Sequence, residues 1–227
     1  MKLDLSYNNL TTLSTTSFPE GLTELIVHGN KIKVLPPLPP TLKVLSCYNN
    51  QLVNIPPLPD EVTELYCGHN RLTSLPTLPP SLTYLDCGNN QLTSLPPLPS
   101  TLTKLNCWNN KLTSLPSLPP SLTTLHCSHN KLLSLPPLPQ FTWLSCGENP
   151  LPPHYFDGGH LKGISKLRSI IMIDRLRKAY SILVRLISDK AARNIQRMWK
   201  RYLLEPYHDP QLGYRVSRYM LYHQHEL

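Results

Sequence analysis

Leu45-Ser46-Cys47-Tyr48-Asn49-Asn50-Gln51-Leu52 returns twenty residues later as Leu65-Tyr66-Cys67-Gly68-His69-Asn70-Arg71-Leu72. The phrase starts again at Leu85, Leu105 and Leu125, and one residue early at Leu144. Between copies lies a proline segment such as Leu35-Pro36-Pro37-Leu38-Pro39-Pro40. A period this strict predicts a solenoid, a fold that presents an extended contact surface rather than a pocket built for chemistry.

Local physics supports that prediction. Leu45-Ser46-Cys47 alternates as a strand does, with Leu45 and Cys47 inward and Ser46 outward. The remainder of a twenty-residue unit leaves no room for a helix. A run such as Leu-Pro-Pro-Leu-Pro excludes one anyway, because each proline removes a donor and biases its predecessor to extended geometry. The return path is therefore expected to be polyproline-II or a short turn. One copy cannot bury its own leucines, so the copies must stack into one curved parallel sheet. At about 4.8 Å between strands, eight copies make a rod roughly 35 Å long.

The unit Leu-x-x-Leu-x-Cys-x-x-Asn-x-Leu, followed by x-x-Leu-Pro-x-Leu-Pro, resembles the leucine-rich repeat. More narrowly, it resembles the short, proline-linked type found in bacterial effector proteins. Eight copies are legible, with the sixth motif position at Leu5, Val27, Cys47, Cys67, Cys87, Cys107, Cys127 and Cys146. The resemblance covers residues 1–153 and implies a protein-binding solenoid. Effectors with such repeats often carry a C-terminal ubiquitin-ligase domain with a catalytic cysteine. No cysteine follows Cys146 here, so that activity is not expected.

Asn8, Asn30, Asn50, Asn70, Asn90, Asn110, Asn130 and Asn149 share one motif position. An amide there can donate and accept at once, closing the turn and bridging coils. Asn9-Leu10-Thr11 is a formal glycosylation sequon, but the recurrence favours a structural role for the ladder. The six cysteines replace a small inward hydrophobe. Parallel Cβ vectors between stacked neighbours disfavour disulfides, and no Cys-x-x-Cys pair suggests zinc. Reduced core thiols, and hence a cytoplasmic setting, are expected. The first coil looks bare, which suggests a truncated frame, an end-to-end dimer, or blunting by Lys2 and Asp4.

The net charge of +8 is unevenly placed. Residues 1–153 hold eight Lys+Arg and eight Asp+Glu, whereas 154–227 hold fourteen and six. Only Pro206 and Pro210 fall after residue 153. This divides the chain into a solenoid over 1–153, a hinge over 154–160 marked by Asp157-Gly158-Gly159, and a basic helical tail over 161–227. The apolar spacing of Ile164, Leu167, Ile171, Leu176, Tyr180, Leu183 and Ile187 predicts an amphipathic helix over 161–187. Ser188-Asp189 caps a second, over about 190–204, and Pro206 stops it. Neither helix suits a bilayer, and the start Met1-Lys2-Leu3 lies directly in a repeat rather than in a signal peptide.

Ala192-Arg193-Asn194-Ile195-Gln196-Arg197-Met198-Trp199-Lys200-Arg201 resembles the first half of a calmodulin-binding IQ motif. Ile195, Gln196 and Lys200 match it; Arg201 and Glu205 depart from it. The resemblance implies a helix-binding partner engaged by Ile195, Gln196, Trp199 and Lys200. Tail residues Tyr202, Pro206, Tyr214, Arg215, Glu226 and Leu227 also resemble C-terminal tails of giant DNA virus proteins, which would place the chain in host cytoplasm or a virion. The basic residues are spread among apolar positions without a zinc-finger or helix-turn-helix pattern. Nucleic acid and membrane surfaces are therefore not favoured partners.

The outward strand positions should form the concave face. One column reads Lys2, Glu24, Val44, Glu64, Tyr84, Lys104, Thr124 and Trp143; the next reads Asp4, Ile26, Ser46, Tyr66, Asp86, Asn106, His126 and Ser145. The third reads Ser6, His28, Tyr48, Gly68, Gly88, Trp108, Ser128 and Gly147. Tyr48, Tyr66 and Tyr84 should step diagonally across adjacent strands, with Trp108, His126 and Trp143 continuing the aromatic content. Exposed residues of these types dominate binding hot spots, so a protein partner is expected on this face. Cross-strand packing that merely stabilises the sheet is the bland alternative. Assembly through the tail, with the repeats as spacer, is the first alternative function, and calmodulin-like or nucleic-acid binding by the tail is the second.

Nothing supplies an enzyme's nucleophile, base and orienting group, or a phosphate-binding glycine loop. His69, His129, His126 and Asp86 carry suitable side chains but form no such set in the sequence. No cofactor and no metal are expected; His223 and His225 read as incidental.

Overall fold

The computed structural model describes residues 1–13, 18–140, 142–157, 160–161, 171, 176 and 178–179. The chain divides into two compact units, Met1–Met172 and Ile173–Leu227. Of the second, Leu176, Lys178 and Ala179 are helical. The first unit holds the sheet.

Eight three-residue strands make one parallel sheet in chain order. They are β1 (Lys2–Asp4), β2 (Glu24–Ile26), β3 (Val44–Ser46), β4 (Glu64–Tyr66), β5 (Tyr84–Asp86), β6 (Lys104–Asn106), β7 (Thr124–His126) and β8 (Trp143–Ser145). Register follows the repeat: Leu45 lies opposite Leu65, Leu65 opposite Leu85, and so on. Each strand is too short to stand alone, and its stability comes from its neighbours.

The core is a set of columns running down the rod. Leu25, Leu45, Leu65, Leu85, Leu105 and Leu125 are buried, as are Val27 and all six cysteines beside them. Among the described residues the return path is neither helix nor strand. The proline after its second apolar residue, Pro39 in Leu35-Pro36-Pro37-Leu38-Pro39-Pro40, starts a turn that aims the chain back at the sheet. The Pro39 carbonyl accepts the Leu42 N–H at 3.1 Å, and Pro59, Pro79, Pro99 and Pro119 act likewise on Val62, Leu82, Leu102 and Leu122.

The asparagine ladder is real, and its bonds reach the preceding coil. Asn110 Oδ1 accepts the Leu92 N–H at 2.9 Å. Its Nδ2 donates to the carbonyls of Cys87, Cys107 and Trp108 at 3.1–3.2 Å. Asn50, Asn70, Asn90, Asn130 and Asn149 repeat this pattern. A second ladder has no counterpart in the sequence reading. Hydroxyls of Thr41, Ser81, Thr101 and Ser121 donate to carbonyls of the coil before, at Leu22, Val62, Leu82 and Leu102.

The residue preceding each ladder asparagine is left-handed. Tyr7, Gly29, Asn49, His69, Asn89, Asn109, His129 and Glu148 hold this position with φ between 49° and 67°. Asparagine and histidine tolerate that region better than most residues. His69 and His129 therefore recur for a backbone reason.

At the end of the repeats Pro153–Tyr155 form a short 3-10 turn, and Tyr155 and Ile171 join the core. Phe156–Asp157 (β9) and His160–Leu161 (β10) pair antiparallel, and Gly158 and Gly159, where a hinge was expected, lie outside the described residues. On β1, Lys2 and Asp4 form an ion pair at 3.6 Å.

Candidate functional site

The middle residue of each strand from β2 to β7 is a buried leucine, and the flanking residues point out to the sheet face. This places Tyr48, Tyr66, Tyr84, Trp108, His126 and Trp143 on one surface, in the columns expected.

Their pairing differs from the expected diagonal. Tyr66 and Tyr84 meet with ring centroids 4.8 Å apart. Tyr48 instead packs on His69, also at 4.8 Å. The reason is lateral: Tyr48 lies past the end of β3, level with the turn that carries His69 rather than with the middle of the face. His69 reaches on to Trp108 at 6.0 Å. Trp108 stacks on His126 at 6.0 Å with 13° between planes, and His126 and Trp143 form a T-shaped pair at 5.3 Å. His129 approaches Trp108 at 6.4 Å. The result is one chain of rings, Tyr48–His69–Trp108–His126–Trp143, beside a separate tyrosine pair.

Exposure also differs. Tyr48 and Trp143 are exposed, at 37% and 47%. Tyr66, Tyr84, Trp108 and His126 are only half-exposed, because they lie on one another and over small residues. Gly68 and Gly88 are what permit this. A Cβ at Gly88 would collide with the Trp108 indole, and one at Gly68 would sit 3.1 Å from Asp86 Oδ1 and 3.2 Å from the Tyr48 ring. The rings pack across the sheet and leave part of their outer surfaces exposed.

Two carboxylates complete the face. Glu64 Oε2 accepts the Tyr66 hydroxyl at 2.8 Å. Asp86 Oδ1 accepts the Gly88 N–H at 3.0 Å and the Asn106 amide at 3.1 Å. Burial pushes the Asp86 carboxyl above the usual range despite those two bonds. Burial and the acceptor Glu64 together push the Tyr66 phenol up, and burial with Asp86 and Glu64 raises Tyr84. Burial lowers His126, against the opposing pull of Asp86.

The thiols are buried beneath the sheet, away from this face. Among the described residues, no three His, Cys, Asp or Glu side chains converge as a metal site would need. Sequence reasoning named the rings but missed Gly68 and Gly88, whose signal was a small residue beside an aromatic in the same column. It weighed His69, His129 and Asp86 only for catalysis. Ile195, Gln196, Trp199 and Lys200, with the tail's viral-type residues, lie outside the described residues.

Comparison with known proteins gives the frame for this face. A family model described as Leucine Rich repeats (2 copies) matches residues 60–100 and 100–140. The leucine-rich-repeat domain of a Shigella effector is 32% identical, with a TM-score of 0.59, over 67% of this chain and 71% of that one. The chain belongs to the leucine-rich-repeat family. YopM from Yersinia enterocolitica is 41% identical over 59% of the chain, with a TM-score of 0.58. YopM from Yersinia pestis, described as a leucine-rich effector protein, is 39% identical over 61%, with a TM-score of 0.55. The chain spans only 30% and 40% of those two YopM chains. No curated protein sequence gives a significant match. Among the described residues, no helix of this leucine-rich-repeat protein is long and apolar enough to cross a membrane.

Proposed function

We propose that this leucine-rich-repeat protein is a non-enzymatic interaction module that binds a protein partner on its outward, concave sheet face. Tyr48, Tyr66, Tyr84, Trp108, His126 and Trp143 are the contact residues. The observation that carries this reading is the unbroken chain of rings from Tyr48 to Trp143, laid over glycines on a face with no covering segment among the described residues. Rigid aromatics on a preformed sheet lose little entropy on binding. Likeness to effector repeat domains supports the same reading and a cytoplasmic setting. The division into a solenoid over 1–153, a hinge over 154–160 and a basic helical tail over 161–227 belongs to the proposal, resting on charge and proline content.

The test is affinity capture with two baits, the intact chain and a Tyr66→Ala/Tyr84→Ala/Trp108→Ala variant whose fold is checked by circular dichroism. A partner held by the first and lost by the second supports the proposal. Identical partners on both baits overturn it and turn attention to the tail.

A further inference from the structure

On β4 and β5 the face carries a checkerboard. Glu64 lies opposite Tyr84, and Tyr66 lies opposite Asp86. The tyrosines occupy one diagonal, in contact at 4.8 Å, and the carboxylates occupy the other. Each carboxylate has one oxygen engaged within the sheet and one without a hydrogen-bond partner among the described residues. Neither forms an ion pair with another described residue. Across β2 to β8 the outward strand positions hold three carboxylates, Glu24, Glu64 and Asp86, against one ammonium, Lys104. The face is therefore negative in a chain whose net charge is +8.

We infer that the occupant of this face is a basic segment of the partner, seated by an arginine whose guanidinium lies on the Tyr66–Tyr84 pair and bonds the free oxygens of Glu64 and Asp86. The inference rests on the proposed binding face and names the partner's chemistry. A guanidinium matches both halves of the square, because it stacks on aromatic rings and presents paired donors to carboxylates. Lysine offers one compact charge and no stacking plane, so it should bind less well. The half-buried Asp86 carboxylate has already lost part of its hydration and gains most from an arriving cation. Apolar anchors on the same segment would then reach Trp108 and Trp143.

The test is selection of peptides from a random displayed library on the intact chain, subtracting those that also bind the Tyr66→Ala/Tyr84→Ala/Trp108→Ala variant. The strongest survivor is then titrated against a Glu64→Gln/Asp86→Asn variant, which keeps both acceptor oxygens. The expected result is arginine-rich peptides whose affinity falls about tenfold or more on that variant. Affinity should fall with salt, and arginine-to-citrulline replacement should abolish binding. Survivors without arginine enrichment, or indifferent to Glu64→Gln/Asp86→Asn, overturn the cationic partner and leave the binding face standing. No survivors after subtraction overturn both.

Discussion

The Trp108 indole covers Gly88 so closely that a Cβ at residue 88 would meet its Nε1 at 2.5 Å. Gly88 is not among the left-handed residues, so the requirement is for space and not for backbone freedom. Gly88→Ala should therefore displace the Trp108 ring while leaving the sheet intact. Among the three indole N–H resonances, that of Trp108 should shift markedly, with a stability loss of about 1 kcal/mol. An unmoved Trp108 resonance would show that the ring does not rest there.

The buried Asn110 side chain serves four backbone groups across two coils. Asn110→Ala should cost about 3 kcal/mol in urea unfolding, because the Leu92 N–H is left without its acceptor in a dry site. Asn110→Asp should cost more at neutral pH, since a carboxylate would face the Cys87, Cys107 and Trp108 carbonyls. An alanine variant as stable as wild type would reduce the ladder to decoration.

All six thiols are buried and unbridged. Burial pushes Cys47 and Cys107 from an ordinary 9.0 up to about 12. Iodoacetamide at about pH 8 should label none of the six in the native protein and all six in denaturant, read by mass spectrometry. Because the folded pKa is the raised one, this contribution to stability is complete below about 9 and is lost as pH climbs toward 12. An alkaline decline in melting temperature should follow, and native labelling of Cys47 or Cys107 would contradict it.

Asp86 offers a second linkage with an acidic window. Its carboxyl is raised above 3.8 chiefly by burial, so the folded state holds this proton more tightly than the unfolded chain does. Its stabilising contribution is present below the ordinary value and is lost as pH rises through the raised one. Asp86→Asn keeps the acceptor for Gly88 and Asn106 and removes the buried charge. Its melting temperature at neutral pH should equal or exceed that of wild type. A clear loss would mean that the charge, not the hydrogen bonds, holds the turn.

Periodicity alone determined the solenoid, the in-register leucine columns, the inward cysteines and the asparagine ladder, because a solenoid's contacts repeat with its sequence. Leu45, Cys47 and Asn50 could be placed without coordinates, since each meets its own equivalent one coil away. The outward columns were legible for the same reason. Which rings touch was not. Tyr48 meets His69 and not Tyr66, Trp108 gathers three imidazoles, and Glu64 and Asp86 frame the tyrosine pair. Those contacts depend on side-chain direction and on the space left by Gly68 and Gly88. Neither is periodic, so only the tertiary structure decided them.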